Sequence, residues 1–253
     1  MIIQYASDLH LEFPENKAFL SREPIKPLGD VLLLAGDIVP FAVLDKHKDF
    51  FNYVSDHFET VYWVPGNHEY YHSNINKRSG VLYEKIRSNV FLVNNFSVNH
   101  GHTKLIFSTL WSKIRPEYQW QIERGMSDFH VIRNNFFHLT ADKYNSLHED
   151  SVKFIQKKLA HAKMEKTVII SHHVPTFLNY PKKYKGSVLS DAFAVELFDF
   201  IENTKPDYWI YGHTHSNTPN FKIGQAQLLT NQLGYVRYGE QSGYHNDRII
   251  EIP

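Results

Sequence analysis

There is no cysteine among the 253 residues. That absence excludes disulfides and thiolate metal sites, and it fits a reducing compartment. An excess of charge of one sign is missing too: 27 Lys and Arg balance 27 Asp and Glu. No long-range field is therefore available to hold a polyanion, which argues against extended nucleic acid as a partner. Recognition of phosphate, if any, must be local. No run of about 18 apolar residues occurs, and the opening MIIQYASDLH lacks a basic stretch followed by an apolar one. The expectation is a cytoplasmic protein with no membrane partner. Hydrophobic residues make up 42% of the chain, enough for a sizeable core, and residues 1–253 are read as a single domain. Histidine, by contrast, is abundant, with 16 residues.

Two periods alternate along the chain. Short apolar runs at 2–5, 31–35, 61–64, 104–110, 168–170 and 208–211 are bounded by turn residues, the pattern of buried strands. Segments 43–58, 81–87, 145–162 and 192–203 carry apolar residues at three- and four-residue spacing and are expected to be helices, the last capped by Asp191. A hairpin is expected about 100–102, and short strands in the tail 218–252. Helices between strands, together with hairpins, imply an α/β fold: a layered α-β-β-α sandwich with two mixed β-sheets flanked by helices. Segment 112–139 has the weakest periodicity and is read as an insertion or lid.

Ligand-type residues follow the strands. Asp8 and His10 come after the first, Asp37 after the second, Asn67, His68 and Glu69 after the third, His172 and His173 after VIIS, and His213 and His215 after YWIYG. Sites in open α/β sheets form beyond the carboxyl ends of strands, so these groups can converge. Carboxylates, an amide oxygen and several imidazoles exceed the needs of one tetrahedral ion and suit two cations sharing a carboxylate. Imidazole-rich ligation without thiolate points to two divalent or trivalent transition-metal ions, Mn, Fe, Zn, Co or Ni. Such a pair can hold a bridging hydroxide and clamp both oxygens of an in-line displacement at phosphorus.

The ordered set DLH 8–10, GD 36–37, GNHE 66–69, SHH 171–173 and GHTH 212–215 resembles the calcineurin-like metallophosphoesterases. TLW, HHVP and NQLGY are similar to an uncharacterised bacterial branch of that family. The resemblance implies that Asp8, His10, Asp37 and His215 hold one metal, and that Asp37, Asn67, His172 and His213 hold the other, with Asp37 bridging. His172 is preferred over His173 because it directly follows the strand; the alternative stays open. His68, on the same resemblance, is no ligand but acts on the phosphoryl group or the leaving group, and Glu69 supports its loop.

Function then reads as dinuclear metal-dependent hydrolysis of a small phosphorylated substrate, with His68 and Asp37 as catalytic residues. A nuclease of the same fold, a non-catalytic interaction scaffold and metal-assisted hydrolysis of another bond are the competing readings. Tyr70, Tyr71 and Trp111 are candidates for lining the pocket, and KKYK at 182–185 is a solvated loop that could capture an anion. His100 and His102 are read as turn residues.

Overall fold

Strands that are apolar on both faces need cover on both sides. Two six-stranded mixed sheets, stacked face to face, provide it in the computed structural model, which describes residues 1–160 and 166–252. In the first sheet β1 (Ile2–Ala6), β2 (Val31–Ala35), β3 (Thr60–Val64) and β5 (Val90–Asn94) run parallel, edged by antiparallel β4 (Leu82–Lys85) and β14 (Ile249–Glu251). In the second, β7 (Thr103–Ser108), β10 (Lys166–Ser171), β11 (Tyr208–Ile210) and β13 (Ala226–Leu229) are parallel, edged by β6 (Phe96–His100) and β12 (Phe221–Ile223). A small hairpin, β8 (Arg133–Asn134) and β9 (Phe137–His138), stands apart.

Alternation along the strands sorts the layers. Leu33, Val168, Ile170 and Phe107 meet between the sheets. Leu32 and Leu34 face the other way, against Phe51 and Val54 of α2 (Lys48–His57) and Leu20 of α1 (Pro14–Arg22). Ile169 and Trp209 pack on Ile155 of α5 (Ala141–Ala160) and Ile201 of α6 (Phe198–Thr204). Each fully buried Leu of β2 contributes about 1.5–3 kcal/mol. The α-β-β-α order expected from the sequence is what the chain adopts.

Some elements differ from the sequence reading. Segment 81–87 is not a helix: Leu82 and Glu84 are half-buried while Tyr83 and Lys85 are exposed, a period of two, and the stretch pairs with β5 as an edge strand. Too few residues separate its ends for helical hydrogen bonds to outweigh that ladder. The first residues of the expected 43–58 helix, 43–47, belong to a 3₁₀ turn, Phe41–His47, that precedes α2. In 192–203 the helix starts only at Phe198, because Val195 and Leu197 donate their N–H groups to the carbonyls of Val174 and Pro175. Asp191 caps nothing there; it binds the Arg115 guanidinium and backbone N–H instead, and Glu196 accepts from the Phe198 N–H. Positions 161–162 of the expected 145–162 helix lie outside the described residues.

Segment 112–139 builds α3 (Gln119–Gly125), α4 (Asp128–Val131) and the β8–β9 hairpin. Ile122, Phe129 and Ile132 bury against Tyr70, Trp111 and Tyr144 in a cluster of their own. Its helices are too short for a 3.6-residue period to show in the sequence.

Candidate metal centre

The parallel strands β1, β2, β3, β10 and β11 end at one rim, and the loops leaving them are tied to each other. Asp8 donates its N–H to the Gly36 carbonyl, His10 to Asp37, and Gly212 to His172. The turns are sharp. Asp8, His10, Asp37, His213 and His215 all have left-handed backbone, with φ of 56°, 46°, 55°, 79° and 50°. Such residues cost about 1–3 kcal/mol each and persist where surrounding structure over-determines them, typically at functional sites. Asp, Asn and His tolerate the region better than most side chains. Two glycines are required by close approach: a Cβ on Gly66 would collide with the Asp37 carboxylate, and one on Gly212 with that of Asp8.

Donor atoms face each other in two groups that share one oxygen. His10 Nε2 is 3.0 Å from His215 Nε2 and 3.7 Å from Asp37 Oδ2, and His215 Nε2 is 3.5 Å from Asp8 Oδ1. On the other side of Asp37, His172 Nε2 is 3.4 Å from the same Oδ2, 3.2 Å from Asn67 Oδ1 and 3.0 Å from His213 Nδ1. Asp8, His10, Asp37 and His215 form one candidate ligand cluster and Asp37, His172 and His213 another, with donor atoms within 4.8 Å of each other. Ligands at about 2.0–2.2 Å from a cation lie roughly 3.0–3.6 Å apart, so these spacings suit an ion in each group.

Three of the four imidazoles are oriented by their far nitrogen, while the His213 ring is stacked on Phe193 instead, 4.5 Å between centroids. His10 Nδ1 meets Glu12 at 3.1 Å, His215 Nδ1 meets Glu240 at 2.8 Å, and His172 Nδ1 meets the Ala35 carbonyl at 3.0 Å. The remaining nitrogens then point inward, as ligating histidines require. Asn67 Nδ2 donates to Asp128 at 3.0 Å, which turns the amide oxygen toward His172.

Charge follows the same plan. Burial holds His10 below the usual imidazole range, and burial with the neighbouring His173 and His172 holds His213 well below it. Burial also opposes charge on His172, yet the Asp37 carboxylate raises it to about 9. His215 is likewise opposed by burial and raised to about 10 by Asp8 and Glu240. Although buried, Asp37 is held well below the carboxylate range by His172 and His68. A cation between the donors would satisfy the demand that protons on His172 and His215 otherwise meet.

His68 stands beside both groups without belonging to either. Its N–H donates to Asp37 Oδ1 at 2.9 Å, its ring stacks on Tyr71 at 4.0 Å, and its Nε2 lies 3.4 Å from the Tyr235 hydroxyl. Its Nδ1 is 3.5 Å from Glu12, which groups it with His10 and Glu12 in a third cluster of possible donors. Burial works against its charge, but Asp37 and Glu12 carry it above the usual range. Glu69 is a buried acceptor of four N–H groups, from Asp37, Ile38, Gly66 and the Trp63 indole. Burial and the charge of Asp37 push its carboxyl up to about 8, against those donors. His173 is packed behind the groups, its ring 4.3 Å from His213 and its Nδ1 at the Thr109 carbonyl, so of the adjacent pair only His172 joins a cluster.

Other contributors carried little or no sequence signal. Glu12 sits two residues beyond His10, a spacing that could have flagged it. Glu240, Tyr235 and Asp128 could not have been found that way. A cavity of about 310 Å³ opens over the donors, walled by Tyr71, Met126, Tyr184, Leu189, Phe193 and Tyr235. Of the aromatic candidates Tyr71 lines it, while Tyr70 and Trp111 are core; within 182–185 the tyrosine lines it and the lysines do not. His100 accepts from or donates to the Tyr62 hydroxyl at 2.9 Å, away from the rim.

Comparison with known proteins agrees with this architecture. A family model described as calcineurin-like phosphoesterase matches residues 3–217. The uncharacterized protein L509 of Acanthamoeba polyphaga mimivirus is 32% identical over 278 aligned positions, covering 99% of this chain and 96% of that one. Among solved structures, phosphopantetheinyl hydrolase from Mycobacterium tuberculosis is 18% identical with a TM-score of 0.68, covering 98% of this chain and 95% of that one. At that identity the likeness speaks for the fold.

Proposed function

The chain belongs to the calcineurin-like phosphoesterases, metal-dependent hydrolases of phosphoester bonds, and on that premise we propose that it cleaves a small phosphoester with two transition-metal ions. Asp8, His10, Asp37 and His215 would hold one ion, and Asp37, Asn67, His172 and His213 the other. The observation that carries this reading is Asp37 Oδ2, common to both groups of donors. When bound, the ions supply an activated water as nucleophile and positive charge for the phosphoryl oxygens. Manganese is one candidate in a set that includes iron, zinc, cobalt and nickel.

His68 is assigned to the leaving group. Asp37 and Glu12 favour the protonated form of its imidazole, the form that can donate to a departing alkoxide, with Glu12 and the Tyr71 ring fixing its plane. Asp37 does double work, joining the two groups and anchoring the His68 backbone through its second oxygen. Residues 1–253 are taken as one catalytic domain in which 112–139 acts as a lid. Gly125 to Asp128 in the cavity lining support that role. No described helix is long and apolar enough to cross a membrane.

The test is hydrolysis of an aryl phosphate and a bis-aryl phosphate by metal-stripped protein reloaded with Mn²⁺ or Zn²⁺. Release of phosphate or phosphomonoester only after reloading, with two ions bound per chain, is expected. Metal-independent turnover, or one ion at saturation, overturns the dinuclear reading.

A further inference from the structure

What a phosphoesterase accepts depends on what meets the part of the substrate that the metals do not hold. Among the described residues lining the 310 Å³ cavity, none is Lys or Arg. The charged side chains there, besides the imidazoles, are carboxylates: Asp37, Asp128 and Glu240. Glu12 lies just behind, against His10 and His68. Two divalent cations bound there would have their positive charge met by the five carboxylates Asp8, Glu12, Asp37, Asp128 and Glu240, so direct coordination would hold one phosphoryl group and no net field would draw a second anion. Aromatic and aliphatic side chains of Tyr71, Met126, Tyr184, Leu189, Phe193 and Tyr235 make up much of the remaining surface, beside the uncharged Asn67, Ser127 and Thr214.

Cations are close by but turned elsewhere. Segment 184–190 gives Tyr184 and Leu189 to this cavity, and gives Lys185, Gly186, Ser187, Val188 and Ser190 to a larger neighbour of about 690 Å³. Lys113 and Arg115 line that neighbour as well. Arg115 is committed to Asp191 by two side-chain hydrogen bonds of 2.8 and 3.0 Å. Lys183 lines neither cavity; its Nζ lies 4.7 Å from the centroid of the Tyr184 ring, and its charge is already engaged with Glu240, whose carboxyl it helps to hold down. Enzymes that take polyphosphorylated or nucleic-acid substrates place Arg or Lys where the additional phosphates lie. Here the basic side chains line the neighbouring cavity instead.

Resting on the phosphoesterase reading, we propose that the site selects phosphate esters whose organic group is small, uncharged and partly apolar, and rejects those bearing a second phosphate or a carboxylate. The cavity is at the lower end of ligand-site volumes, which limits the organic group to a compact one. An additional anion there would be desolvated against Asp128 and Glu240 with no Lys or Arg in the lining to receive it, and such mismatches are a common source of discrimination.

Three aryl esters of the same nitrophenol test it: the parent, one with a ring hydroxymethyl and one with a ring carboxylate, each offered as phosphomonoester and as methyl phosphodiester. The hydroxymethyl ester should stay within about threefold of the parent, and the carboxylate should lower kcat/KM by at least about tenfold, mainly through KM. Ser127→Arg and Leu189→Arg each put a cation into the lining, from an exposed and a half-buried position respectively. Either should recover most of the carboxylate penalty. Equal or preferred turnover of the carboxylate ester by the unaltered protein overturns the inference and leaves phosphoesterase activity standing. No turnover of any ester by protein carrying two ions overturns both.

Discussion

The rim of the cavity and its wall are built on different terms. At the rim the candidate ligands leave the ends of central strands, and several are held a second time, His10 by Glu12, His172 by the Ala35 carbonyl, His215 by Glu240. The wall comes from segments between or after the strands: Met126 from 112–139, Tyr184 and Leu189 from short 3₁₀ turns, Tyr235 from the tail. Rigid strand ends fix positions to a fraction of an ångström, as reaction geometry demands. Loop segments can change without disturbing the sheets, as selection among substrates demands. The comparison therefore separates kcat, expected to depend on the rim, from KM, expected to depend on the wall.

The largest effect should come from Asp37→Asn, which removes the charge shared by both groups of donors. Metal content should fall from two ions toward none, and activity by several kcal/mol per ion, on the order of 10⁴-fold or more. Metal analysis of the purified variant beside its turnover number decides it. Two ions retained would mean that Asp37 is not the shared ligand. Next is His68→Ala, which touches the rim but not the donor groups around His172: both ions should stay while kcat falls roughly 10²–10⁴-fold, the range for a lost general acid. Loss of metal in that variant would move His68 from the leaving group into the ligand set.

How much of this division was legible in the sequence follows from the same physics. Asp8, Asp37, Asn67, His172 and His213 each stand within a few residues of an apolar run, so strand and donor are read together. Segment 81–87 misled because its apolar residues at three-residue spacing fit a helix, and only pairing with β5 shows that Val81 and Tyr83 face solvent. Glu240 reaches His215 across 25 residues of tail whose turns have no period. Asp128 lies in a four-residue helix, below the length at which amphipathicity can be detected. Contacts set by tertiary approach rather than by local period stayed hidden.

Asp128 crosses the division and so sharpens it. It belongs to the wall segment, yet it holds the Asn67 amide at 3.0 Å and the Tyr71 hydroxyl at 2.8 Å. In Asp128→Ala the amide is free to turn, and affinity for one ion should drop roughly 10- to 100-fold, the usual cost of losing an orienting partner, while the other ion is unaffected. Metal titration showing two unequal sites supports that; equal weakening of both sites would mean that the segment acts on the rim as a whole. Acidity tests the rim alone. With His172 raised to about 9 and His215 to about 10, an ion must displace their protons at neutral pH. Apparent affinity should then climb with pH, about tenfold per unit for each proton displaced, with both rings contributing up to about 9 and His215 alone up to about 10, and level off above. Isothermal titration in buffers of different ionisation enthalpy counts the protons released, and none released would contradict the assignment of these two rings.

The smallest expected change is also the one that asks most of the comparison. Leu189 is half-buried and supplies only apolar surface to the wall. Truncation to Ala removes a few carbon atoms from contact with the organic group of the substrate and nothing from the donors. A contact of that kind, made equally before and during reaction, raises KM by roughly three- to tenfold for an apolar ester and leaves kcat and metal content where they were. Steady-state kinetics on the parent aryl ester reads the two constants separately. A fall in kcat at constant KM would mean that the wall positions the reacting group as well as admitting it, and the division between a rim for chemistry and a wall for choice would fail at the residue where it ought to be cleanest.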